Sequence, residues 1–294
     1  MTWLAIVNPV AGKRRDNEAR VARALAKVGE SATVHTTASA AEVGGLVQGG
    51  LDSGSNRFLA VGGDGTVNLV VNALMNGTQR SDVVLGILPA GTGCDLVRTF
   101  GISQALEDAA VHLAGEDHYT IDIGFVDGPW GRRFFANVAS LGLSAAVVRT
   151  AHRFPGWLGA SRYKLGVWPA LAFFRKTPLR LQVDDRRLQE AGTMVVLANA
   201  QFFGGGMNVA PKASTVDGEL DVQVFTGPKR NAVILQYRVT RGTHLTHRAV
   251  RRFSGAAVEL SLDRPWGVEV DGEYLGSTDS VVAGVVPGAL RLKI

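Results

Sequence analysis

The sequence predicts an α/β N-terminal doubly wound (Rossmann-like) domain followed by a C-terminal antiparallel β-sandwich-like domain, with the active site in the interdomain cleft. Before residue 101, short apolar runs at residues 3–7, 58–61 and 83–88 each feed a glycine-rich turn and then a helical stretch. Strand, turn and helix in alternation argue for a mostly parallel sheet covered on both faces. Past residue 120 the texture changes to short strand-like runs, many separated by Gly, Asp or Pro, which is the spacing of an antiparallel sandwich. The chain has 294 residues, 46% of them hydrophobic and 19% charged, enough for one large or two ordinary domains with their own cores. The expected division is residues 1–120 and residues 121–294.

In chain order, the expected helices of the first domain are residues 16–28, 67–75 and 96–100. The expected strands of the second are residues 121–126, 134–139, 179–183, 193–198, 220–225, 257–262 and 267–270. Two helical interruptions are expected at residues 163–175 and 231–240. The last runs, residues 281–286 and 289–294, either close a hairpin or return to the first domain; both routes stay open at this stage. No repeat or low-complexity tract is visible.

Composition narrows the function classes. One cysteine allows no intramolecular disulfide and points to a reducing cytoplasm. No apolar stretch reaches the ~18–20 residues that span a bilayer, and the N-terminus lacks a basic region and cleavage site. The expectation is a cytoplasmic protein, at most peripheral to a membrane. The net charge is +5, with basic residues dense from Arg149 to Arg180 and from Arg238 to Arg252. These read either as solvated faces or as attraction to anionic lipid or nucleotide.

The glycine turns carry the chemistry. They are Asn8-Pro9-Val10-Ala11-Gly12-Lys13, Gly62-Gly63-Asp64-Gly65-Thr66-Val67-Asn68 and Pro89-Ala90-Gly91-Thr92-Gly93-Cys94-Asp95. A turn of this kind offers bare N–H groups at a helix N-terminus to phosphate oxygens. Gly62, Gly63 and Gly65 are expected to supply positive φ and close approach, and Thr66 to cap a helix starting at Val67. Asp64 beside polyphosphate implies an intervening Mg²⁺. In the third turn Gly91 and Thr92 repeat this logic, with Asp95 one turn into its helix. The bland alternative for each is a plain strand–helix connection. The first turn is no Walker A motif, which needs Gly-x-x-x-x-Gly-Lys-Ser/Thr.

In that order and spacing, these motifs resemble the diacylglycerol kinase catalytic family, bacterial lipid kinases related to sphingosine kinases and distantly to NAD kinases. The resemblance runs from Asn8 to about Gly272. It takes in Phe135-Ala136-Asn137, the stretch from Asn199 to Gly206, Ala210-Pro211-Lys212-Ala213, Asp217-Gly218-Glu219-Leu220-Asp221 and Asp271-Gly272-Glu273. It implies an ATP- and Mg²⁺-dependent lipid kinase acting most simply on diacylglycerol to give phosphatidic acid. It further implies an ATP site formed by Asn8, Pro9, Gly12, Lys13, Thr37, Gly62, Gly63, Asp64, Gly65, Thr66, Val67, Asn68, Gly91 and Thr92. Asp64 and Asp95 would organise the catalytic Mg²⁺. Asp217, with backbone groups near Ser214 and Glu219, would hold a second metal, and Asp271 would be the general base. A carboxylate at a strand end followed by glycine also suits a base for a lipid hydroxyl on chemical grounds; the alternative is a hairpin-turn Asp-Gly.

The chain departs from the family pattern at Cys94, where Asn is usual, and at Ser144, where the family often carries Asp. After Thr37, Ala41-Glu42 stands where a glycine-acid pair is expected. Trp157, Trp168, Phe173 and Phe174, interleaved with Arg175 and Lys176, read as an acyl-chain groove, a membrane-surface contact or a packed helix face. His244 and His247 read as surface residues, Asp184-Asp185 as a polar hairpin turn, and Cys94 as a candidate modifiable thiol. The expected partner is a lipid substrate and not nucleic acid. Oligomeric state is left open, a homodimer included. The rival functions are a kinase of another lipid or polyol, such as a sphingoid base or a phosphatidylglycerol-like lipid, and a non-catalytic nucleotide sensor.

Overall fold

The computed structural model describes residues 2–8, 17–77, 82–91, 93–151, 153–154, 165–167, 169–171, 174–228 and 231–294. The chain forms two compact units, Met1–Asp122 with Gly288–Ile294, and Ile123–Pro287. The first is an α/β unit and the second is β-sandwich-like.

The first unit is built on β1 (Thr2–Val7), β2 (Ser31–Thr36), β3 (Arg57–Gly62) and β4 (Val84–Pro89), joined by α1 (Asn17–Lys27), α2 (Ala40–Asp52) and α3 (Asp64–Asn76). The strands are parallel in the order β2-β1-β3-β4. The chain steps one way from β1 to β2, then crosses back over β1 to β3. Right-handed crossovers place α1 on one face and α2 with α3 on the other. Accordingly α2 packs on α3, while α1 packs on the short α5 (Leu106–Ala109), which follows α4 (Asp95–Thr99). The burial of Phe58, Leu59, Ala60 and Val61, all at 0% exposure, is that of a strand covered on both faces. Reversal of strand order between β1 and β3 opens a crevice at the carboxyl ends of those strands, where ligands of such sheets bind.

The second unit contains most of β5 (Tyr119–Gly128), then β6 (Gly131–Phe135), β7 (Val138–Gly142), α6 (Leu143–Ala151), β8 (Thr177–Val183), β9 (Arg186–Gly192) and β10 (Met194–Ala198). A small hairpin of β11 (Phe202–Phe203) and β12 (Met207–Asn208) precedes β13 (Leu220–Phe225). Then come α7 (Ala232–Thr240), β14 (Val250–Gly255), β15 (Ala257–Val270) and β16 (Glu273–Leu292). One layer runs β14-β13-β10-β7 and ends on the last part of β15, all antiparallel. The first part of β15 instead pairs with β8, which pairs with β9. A long strand that changes layers across a register shift between Ser261 and Trp266 is how sandwich corners are turned. Leu179, Leu181, Val183, Leu197, Val222, Val258 and Leu260 form the core between the layers. The outer face of β13 is covered in turn by Leu235 and Val239 of α7, so that every β13 residue is buried.

Several expectations change. The single strand expected over residues 134–139 is two, broken at Ala136 and Asn137, whose N–H groups leave the ladder for the Asp271 carboxylate. The strands expected at residues 257–262 and 267–270 are one continuous β15. β16 takes both routes left open for the C-terminus: it pairs with β15, and its Arg291 and Leu292 then join β4 in parallel. The helix expected at residues 163–175 lies partly outside the described residues; positions 165–167 and 169–171 are helical.

Candidate functional site

In the first unit, the turns after β3 and β4 touch backbone to backbone. A Cβ on Gly91 would stand 2.9 Å from the Cα and 3.0 Å from the N of Gly63, and one on Gly63 would stand 3.1 Å from the carbonyl oxygen of Gly93. No side chain fits between the turns. These glycines serve close approach and not handedness: Gly62, Gly63, Gly65 and Gly91 are absent from the positive-φ positions, and Gly63 has φ −102. Gly65 differs again, since a Cβ there would enter open space. It leaves the first turn of α3 bare, with N–H groups that α-helical bonding does not use.

Asp64 opens α3, and its Oδ1 accepts the N–H of Asp95 at 2.6 Å. The two acids of the second and third turns are thereby joined. Asp95 is 2% exposed, and its Oδ1 lies 3.5 Å from Arg98 Nε. Thr66 does not cap the helix. The N-cap is Gly63, whose carbonyl accepts the Thr66 and Val67 N–H groups, and the Thr66 hydroxyl accepts a hydrogen bond from Asn8 Nδ2 at 3.2 Å. Asn8 also donates its N–H to Val61, so the end of β1 is tied to both β3 and α3. Thr37 donates its N–H to Val7 at 3.1 Å at the same sheet edge. Asn68 faces into α3, where its backbone and side-chain oxygens accept from Asn72 Nδ2. An open hollow of about 510 Å³ lies beside Thr37, lined by Val34, His35, Thr36, Glu42, Gly45 and Leu46. Pro9, Gly12, Lys13 and Thr92 lie outside the described residues.

The Cys94 position is held by a residue that sequence reasoning missed. Gln104 accepts the Cys94 N–H at 3.0 Å and donates to its carbonyl at 2.9 Å. The thiol is buried, and burial, with Asp64 and Asp95 adding to it, pushes its pKa far up. With 0% of its surface exposed, Cys94 offers no access to a modifying reagent, which runs against that expectation.

Asp271 and Gly272 form the two-residue link between β15 and β16, with φ +46 and +86. Both central residues are left-handed, as in a type I′ hairpin turn, so Asp271 is indeed an Asp-Gly turn residue. Its carboxylate does more than shape the turn. It accepts the N–H groups of Ala136 (3.1 Å), Asn137 (3.1 Å) and Val138 (2.9 Å), while the Asp271 N–H returns to the Val138 carbonyl at 2.9 Å. Its orientation is fixed by the break between β6 and β7. Glu273, just beyond, has a side chain 52% exposed with Arg133 at 3.7 Å.

Ser214, Asp217 and Glu219 lie in the loop before β13, in two separate local turns. The Ser214 hydroxyl accepts the Val216 N–H at 3.4 Å, and Asp217 Oδ1 accepts the Glu219 N–H at 3.1 Å. Among the described residues, no three His, Cys, Asp or Glu side chains cluster as a metal cage. The carboxylates of Asp64 and Asp95 are the kind of donor Mg²⁺ takes, one or two at a time, with phosphate and water completing its shell.

Two minor expectations are settled. Asp184-Asp185 is the β8–β9 turn, and the Asp184 carboxylate accepts the N–H groups of Ala256 and Ala257. His244 is not at the surface: it is buried, stacked on Phe225, with Nε2 2.8 Å from Gln223 Oε1, and burial lowers its pKa.

Two family models match successive parts of the chain. Residues 2–126 match the diacylglycerol kinase catalytic domain, and residues 137–294 match the YegS C-terminal NAD kinase beta sandwich-like domain. Together these two matches place the chain in the class of lipid kinases. A Mycobacterium tuberculosis protein named diacylglycerol kinase is 27% identical over 253 residues, covering 84% of this chain and 79% of that one. A Pseudomonas aeruginosa protein named "Probable lipid kinase YegS-like" is 30% identical over 290 residues, covering 96% and 92%. A crystal structure of a diacylglycerol kinase from Bacillus anthracis overlays with a TM-score of 0.74 at 19% identity, over 99% of this chain and 96% of that one. The chain belongs to the diacylglycerol kinase catalytic family of lipid kinases.

Proposed function

We propose that the protein transfers the γ-phosphoryl group of ATP to a lipid hydroxyl, most simply converting diacylglycerol to phosphatidic acid. The observation that carries this reading is the fused pair of glycine turns, packed too closely for any Cβ and linked by the Asp64–Asp95 bond, beside the bare first turn of α3. In this reading the phosphates lie against that helix N-terminus. Asn8, Thr37, Thr66 and Gly91 hold the shape of the site, and the open hollow lined by Thr36, Glu42 and Gly45 is the proposed place of the nucleoside. Mg²⁺, held by Asp64 and Asp95, supplies charge neutralisation at the phosphates. Ser214, Asp217 and Glu219 are proposed to hold a second, structural cation.

Asp271 is the proposed proton acceptor, its carboxylate set in one orientation by three amide donors. A second reading, in which Glu273 takes the proton and Asp271 only builds the turn, is favoured by the exposure of Glu273. Label from γ-labelled ATP, incubated with Mg²⁺ and a total lipid extract in micelles, is expected in a chloroform-soluble product. Asp271→Asn is expected to abolish that label and Glu273→Gln to keep it; the reverse pattern transfers the role to Glu273. Label in a polar-metabolite extract and none in lipid would overturn the lipid acceptor. Peripheral contact with the cytoplasmic membrane face is proposed along with the lipid substrate. Among the described residues no helix is long and apolar enough to cross a bilayer.

A further inference from the structure

Glu269 is an acid in an unusual place. It lies in β15 two residues before Asp271, yet its exposure is 0%. The strand pairs it with Ser140 of β7 on one side and Tyr274 of β16 on the other. Oε2 accepts the Gly272 N–H at 3.0 Å, and Oε1 is hydrogen-bonded to the Ser140 hydroxyl, which in turn shares a hydrogen bond with the Ser144 hydroxyl at the start of α6. The carboxyl therefore ties the Asp271 turn to two further elements, β7 and α6. Among the described residues, the charged and titratable groups around it are Asp271 in its own turn, Tyr274 from β16, and Arg149 of α6, whose guanidinium lies 5.9 Å from the Tyr274 ring centroid.

We propose that Glu269 is a positioning residue for phosphoryl transfer, a buried carboxyl clamp that fixes the left-handed Asp271-Gly272 turn through the Gly272 N–H and the Ser140–Ser144 hydroxyl pair. The inference rests on Asp271 acting in the reaction. Two carboxylates two residues apart in a dry turn cannot both ionise cheaply. Asp271, with three amide donors, is the better supplied anion of the two. Glu269 is left as the proton carrier, and in that form its O–H donates to the Ser140 oxygen while the other carboxyl oxygen still accepts the Gly272 N–H. Burial pushes its carboxyl up to about 8, Asp271 adds to the rise, and the Ser140 and Gly272 hydrogen bonds oppose it. Ionisation of Glu269 places a second negative charge against Asp271, and that repulsion works against the bonds that hold the turn on the alkaline side.

The test compares wild type with Glu269→Gln and Glu269→Leu in the lipid-labelling assay across pH, with thermal melting of each. Leu cannot bond Gly272 or Ser140 and is expected to lower kcat about tenfold or more, the scale of a lost supporting shell, with KM for ATP little changed. Gln keeps an acceptor and cannot ionise. It is expected to restore most of the Leu loss and to lack the wild-type fall in kcat near pH 8. Melting reads the clamp without activity. The unfolded carboxyl loses its proton near its ordinary 4.5 and the folded one near 8, so wild-type stability falls as pH rises across that window. Glu269→Gln is expected to be flatter there. Matching pH–rate and pH–melting profiles in wild type and Gln overturn the clamp. If Asp271→Asn stays active while the melting difference persists, the clamp stands as a structural device and its role in the reaction is overturned.

Discussion

Asp271 owes its direction to a local defect. The chain breaks between β6 and β7, and the three freed amides converge on one carboxylate. Asp271→Asn presents an NH₂ group where one or more of those donors point, so it costs stability as well as chemistry, about 1–3 kcal/mol for a buried donor left unmatched. The expected kinetic effect is larger: kcat falls by about 10²–10⁴, the usual worth of a positioned acid–base group. KM for ATP is expected to stay near wild type, and measuring kcat and KM separately on the folded variant checks both. His244 carries a second residue-scale prediction. Its lowered pKa keeps it neutral beside Gln223 in the fold, whereas the unfolded ring charges below about 6.5. Stability from this group is therefore lost as pH falls below that value. His244→Phe is expected to melt with less dependence on pH below 6.5; an unchanged acid slope contradicts the assignment.

At the level of elements, the two fused turns separate glycines by purpose. Gly91→Ala drives a Cβ into the Gly63 backbone at 2.9 Å. The turn must move, with an expected loss of about 1–3 kcal/mol and weaker ATP binding. Gly65→Ala meets open space, so the fold is expected to keep its stability, while the added methyl stands where phosphate would approach. Its signature is a raised KM for ATP at unchanged melting temperature. A variant pair in which Gly65→Ala binds ATP as wild type removes the first turn of α3 from the site. Much of this was legible beforehand. The strands β1, β3 and β4 and their turns stand out as apolar runs that end in glycine, because strands buried on both faces have no polar alternation to hide them. The reason for the glycines was not legible, since close backbone contact between residues 62–63 and 91–93 depends on strand pairing and not on local sequence. Helix α2 was never singled out, having four glycines in thirteen residues and a weak apolar stripe. The β6–β7 break was missed because its cause, Asp271, lies over 130 residues away. Glu269 was hidden by its neighbours: an acid between two valines reads as an outward strand position, and only burial of both β15 faces shows otherwise.

At the scale of the molecule, the chain holds an α/β unit with fused glycine turns and a sandwich in which Glu269 bonds Ser140 and the Gly272 of the Asp271 turn. The last strand closes each unit on itself, pairing with β15 in the second and with β4 in the first. Lys293 donates to the Gly115 and Asp117 carbonyls, and Asp122 accepts the Gly288 N–H, which pins the returning segment within the first unit. Truncation after Pro287 is expected to strip that strand from β4 and to lower ATP affinity together with the melting temperature; intact ATP binding in the truncated chain would show that the return is dispensable. The central claim is phosphoryl transfer from ATP to a lipid hydroxyl. It is tested most directly by ³¹P NMR of the protein with ATP, Mg²⁺ and purified diacylglycerol in mixed micelles. The account predicts a phosphomonoester resonance of phosphatidic acid growing in step with ADP. ADP and inorganic phosphate with no lipid phosphate, or no consumption of ATP at all, would contradict it.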